Sequence, residues 1–277
     1  NYIVLRSRGR TALSVCIAAL LVCCMSFYLG SIQTAESAEE NLAQVIPVTA
    51  QVVSRSGART VGFEIDENHF ANLMKADIKD AVYTASACAN FQEQYRAEDV
   101  QGADTSVTAV SGLSALVGVT EESIAFENGY DLSFLENAEP LCVVSQSYAA
   151  QYGLNSGDTL SMPFYVTRYN DDGFSLRYEH LGMQGVKIIG VYADSASGSA
   201  VPCSMIVSVP WLQTVVKDNN LRFYYSSFRC ALRDPMKLND FKDAMRGAGF
   251  AKPDPNALDE RHGDTLVVDD QLFIETA

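Results

Sequence analysis

The chain has 277 residues, a formal net charge of −14 and hydrophobic residues at 48% of positions. The acidity argues against nucleic-acid binding, because a negative surface repels phosphates, and the roughly 240 residues from 36 onward can bury a core. Arg6, Arg8 and Arg10 open the chain and all 34 acidic residues follow position 35, so the part from 36 onward carries about −17.

Positions 11–35 hold no charged residue, a run of about 25 where roughly 20 suffice to cross a bilayer. The small residues Ser14, Ala18, Ala19, Ser26 and Gly30 suit close helix packing in lipid, and Tyr28 suits the headgroup level. Arginines before the run and Glu36, Glu39 and Glu40 after it place the N-terminus inside and the rest outside. A cleaved signal peptide also starts basic and apolar, and Ala35-Glu36-Ser37-Ala38 resembles a cleavage site. The run exceeds the about 7–15 residues of a signal core, so an anchor is expected. The chain opens on Asn1 rather than Met, as a fragment of something longer does. The expected order is a cytoplasmic segment 1–10, a transmembrane helix 11–35 and a helical stalk 36–46, which Pro47 ends.

Beyond Pro47, 49–54 reads as a strand, Gly57 interrupts it and 61–65 resumes it. Asp66 caps a short helix with His69, Phe70, Leu73 and Met74 at helical spacing, ending near Ala76. Strands are expected at 81–91 and 105–110, a helical turn at 121–124 and a turn at Asn128-Gly129. Leu141 to Ser145 is a short apolar strand. Ser145 caps a helix over 146–152, and Gly153 ends it. A turn at 155–158 starts a strand at 159. A hairpin joins 164–169 to 174–178 through 170–173. Further strands are expected at 186–192 and 205–209, with a loop at 194–200 between them. Pro210 opens a helix over 211–216. The spacing then predicts a strand over 224–232, a helix after Asp234-Pro235 with Leu238, Phe241, Met245 and Ala248 on one face, and a strand-like 266–268. This pattern is α+β.

Catalytic signatures are lacking. His69, His180 and His262 lie far apart in sequence, and no zinc-type spacing joins them. The charged stretch 259–264 lacks the spaced oxygens of a calcium loop. Ser195, Ser197 and Ser199 have no evident paired base, and no nucleophile elbow or phosphate loop occurs. Cys16, Cys23 and Cys24 fall in the apolar run. Cys88, Cys142, Cys203 and Cys230 fall outside it, and are either disulfide-bonded or buried free thiols.

One composite pattern is more specific. Phe126-x-x-Gly129-Tyr130 precedes Leu141-Cys142-Val143-Val144-Ser145-Gln146-Ser147-Tyr148-Ala149. Then come Tyr152-Gly153-Leu154-Asn155-Ser156-Gly157-Asp158-Thr159-Leu160 and Val186-Lys187-Ile188-Ile189-Gly190-Val191-Tyr192. Arg8-Gly9-Arg10-Thr11-Ala12-Leu13 before an apolar helix, and Val207-Ser208-Val209-Pro210-Trp211-Leu212, complete it. The pattern resembles the periplasmic core domain of MacB/FtsX-type ABC transporter permeases. Its scaffold positions are Ser145, Gly153, Gly157, Asp158, Gly190 and Pro210. Gly153 permits a left-handed helix end, Gly157-Asp158 a tight turn, and Gly190 a bend or close backbone approach.

The resemblance implies one N-terminal transmembrane helix followed by a two-lobed extracytoplasmic α+β domain of mixed sheets with short helices. The first lobe is discontinuous, 47–120 with 205–277, and the second is 121–204. Further spans are expected after Ala277. It also implies a non-catalytic permease part in a bacterial plasma membrane, without a cofactor of its own. Its partners are a cytoplasmic ABC ATPase subunit, a second permease copy or homologue forming a dimer, membrane lipid, and an unnamed substrate or extracellular partner. The alternative function is a single-pass anchored binding or sensor domain for peptide or cell-wall material. A third, an anchored hydrolase, requires a His–carboxylate–nucleophile cluster.

Overall fold

The computed structural model describes residues 8–45, 48–91, 103–170, 175–194, 203–254, 256 and 265–269. Pro47, most of the expected 170–173 turn, Ser195, Ser197 and Ser199, His262 with its charged stretch, and the tail past 269 lie outside them. Two compact units form, one holding the N-terminal helix and the other spanning Thr49–Asp269.

Helix α1 runs unbroken over Arg8–Val45. Its apolar part, Ala12–Ala35, has 24 residues and a mean hydropathy of 2.4. That part is about 36 Å long, enough for a hydrocarbon core of about 30 Å. Around the end of that part the hydroxyls bond back to the helix itself. Ser31, Thr34 and Ser37 donate to the carbonyls of Phe27, Gly30 and Gln33, one turn back.

In the second unit, ten strands among the described residues form one mixed sheet in the order β12-β1-β11-β3-β4-β9-β6-β8-β5, with β7 pairing β3 and β8. The strands are β1 Thr49–Val53, β3 Ile78–Ala89, β4 Thr105–Val110, β5 Ile124–Phe126, β6 Leu141–Ser145, β7 Thr159–Tyr169, β8 Leu176–Tyr192, β9 Met205–Ser208, β11 Ser227–Leu232 and β12 Thr265–Asp269. β2 Ile65–Asp66 and β10 Tyr224–Tyr225 make a separate two-stranded sheet. The β4–β9 and β6–β8 pairs are parallel, and the other pairs are antiparallel. β6 and β9 are buried at every position, which explains their unalternating apolar runs. In this order, strands from 49–110 and 205–269 are contiguous, as are strands from 124–192. The two sets meet where β9 pairs β6 and where β3 pairs β7.

Short helices cover the sheet: α2 Glu67–Lys75, α3 Gln146–Tyr152, α4 Val209–Asp218 and α5 Leu238–Gly247. Each of the first three starts on an expected or simple cap, with Asp66, Ser145 and Ser208 accepting the N–H of His69, Tyr148 and Trp211. α4 buries Trp211, Leu212, Val215 and Val216 on one face, and Trp211 meets Phe164 edge-on at 5.5 Å. Under the 3₁₀ turns Leu113–Ala115 and Leu132–Glu136, a core gathers Val110, Phe134, Val143, Ile189, Tyr192 and Ile206.

Three strand expectations need correction. The strand expected over 61–65 is reduced to Ile65–Asp66, because Gly62 takes φ +78°. The strand expected over 224–232 is two strands in two sheets. Buried Ser226 separates them: its N–H donates to Thr84 and its carbonyl accepts from Phe63. The strands expected at 174–178 and 186–192 are parts of one 17-residue strand, β8. Its middle is mostly exposed, so no hydrophobic pattern marks it.

All four cysteines outside the helix are free thiols. Burial pushes Cys88 and Cys230 up to about 12, and Cys142 up as well. A neutral thiol is a poor nucleophile, so these three are expected to resist alkylation at about pH 8 in the folded protein and to react on denaturation. Peptide mass spectrometry reads this directly. The folded pKa values lie above the ordinary 9.0. This contribution to stability is therefore fully present below that value and is lost as pH rises from there.

Candidate functional site

Five of the six scaffold residues lie in one corner of the sheet, built by β6, α3, the turn that follows it and β8, which pairs with both β6 and β5. Ser145 ends β6 opposite Tyr192 of β8. It is buried, and its N–H donates to the carbonyl of Ser204. α3 then ends at Gly153, in the left-handed region at φ 67°, ψ 34°. Gly153→Ala is expected to cost about 1 kcal/mol, since a Cβ disfavours that conformation, while Gly153→Asn stays nearer wild type. Urea denaturation of the pair checks this.

The chain turns back through Asn155–Asp158. Asp158 Oδ2 accepts the N–H of Asn155 at 2.8 Å. Gly157 N–H donates to Ile188, and Ile188 N–H donates to Asp158, so the turn is stitched to β8. Gly157 has φ +96°, and a Cβ there would lie 3.3 Å from Glu127 Oε1. Gly190 pairs with both Phe126 of β5 and Val143 of β6. Its Cβ would meet the Ala125 carbonyl oxygen and Ile124 Cγ2 at 3.2 Å and Phe126 Cδ1 at 3.3 Å. A side chain at Gly190 would therefore press on β5 by a few tenths of an ångström. Pro210 lies apart from this corner, in the first turn of α4, which follows β9.

Beside the corner is a contact that the sequence did not reveal. Lys187 Nζ lies 2.9 Å from Glu127 Oε2, 3.2 Å from the Tyr130 hydroxyl and 4.8 Å from the Tyr130 ring centre. The hydrogen bond to Glu127 first, then that to Tyr130, holds the Lys187 pKa above its ordinary value. The partners are about 60 positions apart.

Two further contacts join the strand sets. The Tyr148 hydroxyl of α3 lies 2.7 Å from Thr105 Oγ1 of β4. Arg168 of β7 is buried, with Glu179 at 3.4 Å, the Arg222 carbonyl accepting at 2.9 Å and the Tyr224 ring centre at 4.7 Å. Desolvation lowers its pKa, and Glu179 and Glu64 oppose that shift. Next to it, the Glu64 carboxylate accepts the N–H of Tyr169 at 2.9 Å.

These arrangements hold strands and turns in place. His69 pairs with Asp66 at 3.1 Å, and His180 packs edge-on against Tyr165. Among the described residues no three His, Cys, Asp or Glu side chains lie together as metal ligands.

No protein-family profile matches the chain, and neither does any curated protein. Among solved structures, the chain is similar to a domain described as part of a permease protein from Porphyromonas gingivalis, with 14% identity and a TM-score of 0.35. That match covers 73% of this chain and 78% of the other. It is also similar to the periplasmic region of MacB from Actinobacillus actinomycetemcomitans, with 10% identity and a TM-score of 0.41 over 82% of this chain and 90% of the other. At such identities and scores, the functional argument rests on the chain's own residues.

Proposed function

We propose that this chain is the first span and extracytoplasmic domain of an ABC-type permease that passes motion from a cytoplasmic ATPase to the outer face of a bacterial plasma membrane. The observation that carries the reading is α1. One helix runs from the apolar stretch through ten further residues to Val45, and the first strand begins at Thr49. A continuous helix transmits rotation and translation as a rigid rod, which a flexible tether cannot do. The scaffold corner supports the same reading, because its residues hold shape and carry no nucleophile–base pair.

In this reading 47–120 with 205–277 forms one lobe and 121–204 the other. The β9–β6 and β3–β7 pairs and the Arg168 contacts are their common seam. The permease works as a dimer with a second copy or homologue, and ATP hydrolysis belongs to the ATPase.

The topology is tested by adding protease to intact spheroplasts that express the protein with an N-terminal tag. The expected result is digestion of the 49–269 unit from outside with the tag protected. Protection of that unit in intact cells, with digestion only in inverted vesicles, would refute the orientation.

A further inference from the structure

Away from the scaffold corner, a cavity of about 100 Å³ is lined by Arg168, Glu64, Ser86, Ser226, Tyr224 and Leu176, among others. It lies at a break in the main sheet. β4 pairs with one side of β3 from Thr84 to Ala89. On the other side β11 reaches only to Thr84, and β7 starts only at Cys88. Ser86 falls between them, and its hydroxyl donates to Ser226 Oγ at 3.1 Å. Arg168 is only 7% exposed. A guanidinium has five N–H groups, and three of them are engaged here. Nε faces Glu179, one N–H of Nη1 donates to the Thr167 carbonyl, and one of Nη2 donates to the Arg222 carbonyl. One N–H on each terminal nitrogen is left without a hydrogen-bond partner among the described residues, on a buried cation that lines a cavity. Leaving buried donors unmade is costly, so such a group favours a ligand that accepts from it.

We propose that this cavity binds a small α-amino acid as its zwitterion. The carboxylate accepts from the remaining Arg168 N–H groups, the ammonium lies against Glu64, and a small side chain faces Leu176 and Tyr224. Charge balance selects a zwitterion over a simple ion. The charged side chains that act on one another here are Arg168, Arg177, Glu179 and Glu64, two of each sign. A simple anion would meet Glu64 and Glu179, and a simple cation would meet Arg168, where little water screens the repulsion. A zwitterion satisfies both signs and leaves the site neutral. The volume favours glycine, alanine or serine over an aromatic amino acid. The proposal does not depend on the permease reading.

The test uses the complete chain in phosphatidylglycerol nanodiscs, whose lipid carries no amine, with L-alanine as the probe and saturation-transfer NMR as the readout. Transfer to the alanine methyl is expected. N-acetylalanine, which lacks the ammonium, and alaninamide, which lacks the carboxylate, should each bind about tenfold more weakly, the scale of one charge-assisted hydrogen bond. Glu64→Gln keeps an acceptor for the Tyr169 N–H. It should weaken alanine about tenfold and leave N-acetylalanine unchanged. Ser86→Leu, at an exposed position of β3, should close the cavity and abolish transfer. Thermal melts of both variants separate lost binding from lost structure. The proposal is overturned if wild type gives no transfer, if either analogue binds as well as alanine, or if a folded variant binds alanine like wild type. The analogue comparison needs no variant, so it decides even where a variant unfolds.

Discussion

Gly190→Val is expected to destabilise the Thr49–Asp269 unit by about 2–3 kcal/mol, the upper part of the range for overpacking a filled site. Gly190 sits where β8 carries β5 on one edge and β6 on the other. Its missing side chain lets the β5 backbone come within 3.2 Å of the Cβ position. One of the two nearest atoms, the Ala125 carbonyl oxygen, is backbone and cannot rotate away. Unlike Gly153, Gly190 does not have a positive φ, so the penalty should grow with side-chain volume, with Gly190→Ala between wild type and valine. Urea titrations with unchanged slopes would report this series. Wild-type stability in the valine variant would show that β5 is free to shift, and would remove the spatial reason for glycine here.

The second large effect is at Arg168 of β7. Arg168→Ala is expected to lower stability by about 2–3 kcal/mol, somewhat less than breaking an isolated buried pair, because Glu179 keeps Arg177 at 3.2 Å. The loss has three sources: the Arg222 carbonyl loses its donor, the Tyr224 ring loses its cation, and Glu179 loses its buried partner. Glu179→Gln should also destabilise, and the double variant should cost less than the sum of the two singles, a coupling that a double-mutant cycle measures. Strict additivity would mean that Arg168 and Glu179 do not act as a pair.

Legibility in the sequence followed local physical chemistry. β4, β6 and α3 were readable to the residue, because a turn, a cap or a five-residue apolar run bounds each. Ser145, Gly153, Gly157 and Asp158 were readable for the same reason: a cap, a left-handed glycine and a turn act within a few residues. The misses were tertiary. β8 continues through exposed polar residues because β7 pairs with it out to Tyr169↔Leu176, and pairing leaves no hydrophobic trace. The strand over 224–232 divides at Ser226 because Thr84 and Phe63 take its backbone groups, although the alternation runs straight through. Lys187–Glu127–Tyr130 and Arg168–Tyr224 join positions about 55–60 apart, and a single sequence cannot show such contacts.

The central claim, a permease coupled to an ATPase, is tested most directly by purifying the complete protein from its native membrane in mild detergent. The account predicts that an ABC ATPase copurifies in stoichiometric amount and that its activity changes when a helix-breaking insertion is placed between positions 37 and 45. A complex without any ATPase, from a protein whose 49–269 unit is folded and outside, would contradict it and favour an anchored binding or sensor domain.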